Sequence, residues 1–347
     1  MSEKRSLRDL NMEELRAEVL SAGFEAYRAD QIYGWLHRKY VPGFSGMGNV
    51  PGKLKTALQE KYDLSPGKVV RSLKSQTDGT EKLLLEFDGE SLVETVLMRY
   101  SYGLSVCVSS QVGCQMGCVF CASQMNGFLR NLTAGEMLEE VYSFARETDE
   151  RISHIVIMGT GEPMENLDNV IRFAETLSSE EASNISRRDI TLSTCGVVPG
   201  IRRLADSGLK ITLAVSLHAV TDEKRRKIMP SARKYSISDI MDACIYYREK
   251  TGRRVTFEYS LASGFNDGIP DADMLSDLAH RAFAHVNLIR MNPVAGSPLR
   301  EPSNSRVLAF RDRLEKKDVS VTIRRELGRD IQGSCGQLRR CKLEESI

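Results

Sequence analysis

No stretch of this 347-residue chain approaches the ~18 consecutive apolar positions that a membrane span needs, so none is expected. Neither sign of charge dominates. Lys and Arg number 48 against 47 Asp and Glu, so no overall basic excess announces a nucleic-acid partner, although a basic face stays open. No apolar leader is seen, because Met1-Ser2-Glu3-Lys4-Arg5 runs into a charged stretch. A cytoplasmic protein with reduced thiols is therefore expected. In that setting eight cysteines read as metal ligands or catalysts rather than as disulfides. The length allows one large domain and a small one.

What the chain does have is a concentration of thiols. Cys114, Cys118 and Cys121 stand within eight residues, with Phe120 just before the last. Thiolates this close on a loop can converge on one soft metal centre. Three ligands leave one position of an iron–sulfur cluster open to a small molecule. Cys107, seven residues upstream, would instead complete a four-thiolate zinc site, which would suit a zinc-stabilised RNA-binding protein without enzyme activity.

Residues 1–75 read as a helical accessory domain, with Asn11 as an N-cap, a helix face of Ile32, Trp35 and Leu36, and a third helix from Lys53 to Tyr62. Its mild basic lean suits either RNA contact or an ordinary solvated cap. Residues 76–100 form a linker region in which Lys82–Phe87 and Val93–Arg99 alternate around Asp88-Gly89, a hairpin signal. Glu94 lies on its second strand among apolar neighbours, which suggests partial burial.

From residue 101 to 347 strand and helix patterns alternate. Seven strands are expected, near 104–109, 154–158, 190–193, 210–216, 254–260, 286–290 and 319–324. Parallel strands with crossover helices follow, as a doubly wound sheet or a full or partial α/β barrel. In either form the chemistry sits at the carboxyl ends of the strands. The cysteine loop follows the first of these strands. Later strand ends carry Gly161 and Glu162, Ser193, Ser216-Leu217-His218, and Asn292. Small polar groups at several strand ends suit the ribose, amine and carboxylate of a nucleoside amino acid. Near the far end, Cys335 is flanked by serine and glycine, as accessible reactive thiols often are. Six basic residues against two acids between Arg324 and Lys342 fit chemistry on a polyanion. Cys195, Cys244 and Cys341 read as packing or surface residues.

Taken together, the cysteine triplet, Phe120, the Gly-Glu-Pro loop and the polar strand ends resemble the radical S-adenosylmethionine (SAM) superfamily. The stretch from Cys107 to Cys114, Arg130-Asn131-Leu132-Thr133, Gly159-Thr160-Gly161-Glu162-Pro163, Ser216-Leu217-His218 and Cys335-Gly336-Gln337-Leu338 resemble its RlmN/Cfr family of RNA adenine methyltransferases, over essentially the whole chain. The family usually has Met or Ile where Thr160 stands and Ala where Ser334 stands. Neither change removes a ligand or a catalytic group.

The resemblance implies an α/β fold, a partial (β/α)6 TIM-like barrel of six parallel strands. It implies a 4Fe–4S cluster on Cys114, Cys118 and Cys121. SAM would be held by Gly161, Glu162, Ser193, Ser216, Leu217, His218 and Asn292, and two SAM would be consumed per turnover. An adenine C–H carbon is too poor a nucleophile for direct methyl transfer. In the family, one SAM methylates a cysteine, here Cys335. A second yields a radical that activates that methyl group for addition to the base, joining enzyme and RNA. Glu94 matches the proton acceptor, and Cys107 releases the product by a disulfide with Cys335, which must then be reduced. The implied reaction is methylation at adenine carbon 2, in 23S rRNA at the peptidyl-transferase centre and in tRNA beside the anticodon. The implied electron donor is a flavodoxin or ferredoxin, and a monomer is expected. Carbon 8, the specificity of the antibiotic-resistance branch, is the nearest alternative.

Overall fold

The computed structural model describes residues 4–89, 91–124, 127–292 and 297–333. Three helices come first: α1 (Met12–Ser21), α2 (Tyr27–His37) and α3 (Gly52–Lys61). Asn11 starts α1 through a reciprocal cap. Its side chain accepts from the Glu14 N–H at 2.8 Å, and the Glu14 carboxylate accepts from the Asn11 N–H at 2.9 Å. Leu15, Val19, Ile32, Leu36, Leu54 and Leu58 bury one face of each helix in a small core of their own. The helical reading of residues 1–75 is corrected beyond Lys61, because Lys68–Lys74 is a strand.

The sheet has ten strands in strict chain order: β1 (Lys68–Lys74), β2 (Glu81–Phe87), β3 (Ser91–Tyr100), β4 (Gly103–Val108), β5 (Ile152–Ile157), β6 (Ile190–Thr194), β7 (Thr212–Ser216), β8 (Thr256–Leu261), β9 (His285–Arg290) and β10 (Val321–Ile323). From β4 to β10 every pairing is parallel, and β1 to β3 add antiparallel strands on the β4 side. The six parallel strands of the resemblance are present, and the three-residue β10 adds a seventh. The hairpin turns between the paired residues Phe87 and Ser91, with Asp88 (φ 47°) and Gly89 (φ 79°) both in the left-handed region. It is a continuation of the main sheet, with β1 as a third strand.

Helices cross between the parallel strands: α4 (Ala134–Ala145), α5 (Leu167–Ser178), α6 (Val198–Asp206), the short α7 (Asp222–Ile228) together with α8 (Ile237–Thr251), α9 (Ile269–Ala282) and α10 (Asn304–Glu315). Their apolar faces and the strand interiors make one large core, which includes Val106, Ile155, Leu192, Leu213, Phe257 and Leu288. The amino-terminal helices are docked on it through polar contacts. The Asp9 carboxylate accepts from the Gly135 N–H at 2.7 Å, where α4 begins and its dipole is positive. Buried Arg8 stands 3.5 Å from Glu139, and His37 Nδ1 lies 2.8 Å from the Tyr142 hydroxyl. Among the described residues, no helix is long and apolar enough to cross a membrane.

Candidate active site

A cavity opens at the carboxyl ends of the parallel strands. Its lining includes all three clustered cysteines, Cys114, Cys118 and Cys121, with Gly161, Glu162, Ser193, Ser216, His218 and Asn292. Its space, open mouth included, is about 960 Å³. Leu217 is the exception among the expected residues, for its side chain is buried in the core. Its neighbours Ser216 and His218 reach the cavity.

The Cys107–Cys114 stretch clamps the cysteine loop to the Gly-Thr-Gly-Glu loop. The Ser110 and Gln111 N–H groups both donate to the Thr160 carbonyl, at 2.9 and 3.2 Å. The Ser109 hydroxyl accepts from the Thr160 N–H at 2.9 Å, and the Gln111 side chain accepts from the Glu162 N–H at 2.9 Å. Gly161 sits at φ +108°, and a Cβ there would stand 2.6 Å from Gln111 Cβ. Only glycine allows so close an approach in that conformation.

The thiols fit a metal–sulfur group. Burial pushes Cys114 up to about 11 and raises Cys118 further, and the neighbouring thiols add to both shifts. Such a set sheds its protons only when a cation compensates them. The Met116 N–H points at Cys114 Sγ at 3.5 Å, a donor suited to an electron-rich sulfur. Among the described residues no three ligating side chains already close around a single point. Cys107, which the zinc alternative requires, lines a second cavity instead.

The remaining groups are held by backbone. Glu162 accepts from the Met164 N–H at 3.1 Å and the Cys195 N–H at 2.7 Å, while burial pushes its carboxyl above the ordinary range. Ser193 and Ser216 place their hydroxyl oxygens 3.3 Å apart. His218 adopts φ +56°. Its Nδ1 accepts from the Ser260 N–H at 3.0 Å, which leaves the ring proton on Nε2, and Phe120 of the cysteine loop meets its ring edge-on at 4.9 Å. Burial pulls His218 down to about 3, with nearby Arg225 adding to the effect, so the ring is neutral at physiological pH.

The second cavity adjoins the first through Met158, Ile289, Asn292 and Arg324, which line both. Cys107 lies in it, and its lining extends to Gly333. Cys335, two residues further on, lies outside the described residues, as does Cys341. Glu94 is buried more fully than expected, and its carboxylate stands 2.9 Å from Lys82 Nζ.

Three residues of the site were not anticipated. Cys195 and Cys244 both pack in the core as expected, but Cys195 also lines the first cavity. Glu258 lies in the same cavity, its carboxylate accepting from Asn287 with Arg324 3.9 Å away. Arg225 is fully buried and donates to the carbonyls of Cys195, Leu217 and Ser216 at 2.5, 3.2 and 3.4 Å. Only the Asp222–Lys227 charge run could have drawn attention to Arg225, and such a run ordinarily signals a solvated face.

Comparison with known proteins agrees with this geometry. A family model described as the radical SAM superfamily matches residues 108–274, and one described as the ribosomal RNA large subunit methyltransferase N-terminal domain matches residues 5–64. The chain is 48% identical over 347 residues to a protein named a probable dual-specificity RNA methyltransferase RlmN of Lachnoclostridium phytofermentans, covering the whole of this chain and 98% of that one. It is 48% identical over 336 residues to a protein of the same name from Clostridium perfringens, with 97% of each chain covered. A crystal structure of a radical SAM methyltransferase from Sphaerobacter thermophilus superimposes with a TM-score of 0.92 at 40% identity, over 97% of this chain and 99% of that one.

Proposed function

Because this chain belongs to the RlmN family of radical SAM RNA methyltransferases, we propose that it methylates carbon 2 of adenine in 23S rRNA and in tRNA beside the anticodon, by way of Cys335. The observation that carries this reading is one cavity lined by three cysteines and by polar strand ends, adjoining a second cavity that holds Cys107 and reaches Gly333.

When bound, a 4Fe–4S cluster and SAM supply the methyl group and the one-electron chemistry that activates it. Cys114, Cys118 and Cys121 are the residues to hold the cluster. Glu162, its carboxylate fixed by two backbone N–H groups, accepts from the SAM amine, and the Gly161 backbone lies alongside. Ser193, Ser216 and Asn292 orient the remaining polar groups, and neutral His218 offers an N–H without adding charge. Leu217 contributes through its backbone. Cys335 accepts a methyl group and carries it to the base. Glu94 takes the proton lost from the ring. Cys107 frees the product by forming a disulfide with Cys335, which a reductant must then reopen. A flavodoxin or ferredoxin fits as the electron donor.

Incubation of the anaerobically reconstituted protein with a 23S rRNA fragment, followed by nucleoside digestion and mass spectrometry, tests the assignment. A peak that coelutes with 2-methyladenosine is expected. A peak with 8-methyladenosine would move the chain to the resistance branch, and an unmodified digest would contradict the reading.

A further inference from the structure

One buried cation beside this machinery has no role in it so far. We propose that Lys82 is a positioning residue for Glu94. Its ammonium orients the carboxylate that receives the ring proton and ties it to the segment that leads into Cys335. This rests on the reading of Glu94 as the proton acceptor.

The register of β2 against β3 pairs Leu84 with Glu94 and Lys82 with Val96, so Lys82 and Glu94 are diagonal neighbours on one face. Their charged atoms are 2.9 Å apart and their side chains only 5% and 6% exposed. The same Nζ donates to the Gln332 carbonyl at 3.3 Å, three residues before Cys335 in the chain. Gly333 lines the Cys107 cavity. The backbone of Glu94 is fixed as well, since its carbonyl accepts from the Ser109 hydroxyl at 3.0 Å, and that hydroxyl also receives the Thr160 N–H. The other titratable groups nearby are Cys107 on β4, Arg324, Arg325 and Glu326 lining the adjoining cavity, and Glu140 of α4, which accepts from the Ser109 N–H.

Stability gives little reason for such a pair, because buried ion pairs seldom outperform apolar packing of the same volume. Function does give one. Removing the ammonium takes away the partner that holds the buried carboxylate in place to receive the ring proton. The variant Lys82→Met should therefore stall after the protein–RNA bond has formed.

The test is single-turnover assay of the reconstituted full-length enzyme with the rRNA fragment, run for wild type, K82M, K82R and E94Q. In K82M a gel-stable protein–RNA adduct should accumulate, with turnover reduced roughly a hundredfold, the low end of what a positioned general base supplies. Peptide mass spectrometry should still find the extra methyl on Cys335, because that transfer comes earlier. K82R, which keeps the charge, should recover much of the turnover. Wild-type turnover in K82M would overturn the proposal. Loss of Cys335 methylation in both K82M and K82R would also overturn it, making Lys82 a structural pin only. Normal turnover of E94Q would instead remove the base assignment on which the proposal rests.

Discussion

At the scale of single residues, chemistry concentrates where the backbone leaves no choice. Gly161 is one such point, with a conformation and a clearance that exclude any side chain. Gly161→Ala should destabilise the protein by about 2 kcal/mol, within the range for a non-glycine residue forced into a sparsely populated region, and should weaken SAM binding. Urea unfolding of the apoprotein together with SAM titration measures both, and wild-type values for both would refute the steric reading. Glu162 and His218 could be read from the sequence because glycine, proline and serine punctuate the strand ends that present them. Lys82 and Arg225 could not. On an alternating strand a lysine reads as a solvent-facing position, and in the run Asp222–Lys227 one arginine is indistinguishable from its neighbours. Their burial is decided by chain segments further away in sequence, Gln332 for the one and the Cys195 carbonyl for the other.

At the scale of elements, the alternation of strand and helix was readable from the spacing of apolar stretches, since strands β4 to β9 each carry buried apolar positions and the crossover helices pack apolar residues against them. Two elements escaped this signal. In β1 nearly every position is exposed, including adjacent Val69 and Val70, so no inside–outside alternation exists to be read. Helix α7 has only seven residues, most of them charged. Packing between elements also sets a pH response. His37 of α2 is buried against Tyr142 of α4, and burial pulls its imidazole down to about 3, with Arg8 adding to the effect. Between about pH 6.5 and 3 the unfolded chain takes up a proton on His37 that the folded chain refuses. Its contribution to stability is therefore complete above pH 6.5 and lost as the pH falls toward 3. Burial raises Glu140 and Glu258 and works in the opposite direction, so the comparison belongs between wild type and His37→Gln. The fall in unfolding free energy from pH 6 to pH 5 should be smaller in H37Q by about 1 kcal/mol. Equal slopes by denaturant titration would show that His37 is protonated within the fold.

At the scale of the whole molecule, seven parallel strands carry loops distant in sequence to one rim, where they line a cavity that adjoins a second. The sequence motifs named the pieces of that cavity, but only the fold sets Cys107 apart from the three clustered thiols and in the space that leads to Gly333. A three-thiol centre with an open position needs only the clustered thiols, whereas a four-thiol zinc site would need all four around one ion. Metal and sulfide analysis of the protein purified without oxygen tests it most directly. A brown protein with about four irons and four sulfides per chain, both lost in a triple Cys114, Cys118, Cys121→Ala variant but kept in Cys107→Ala, is the expected result. A colourless protein with one zinc per chain that Cys107→Ala abolishes would contradict it.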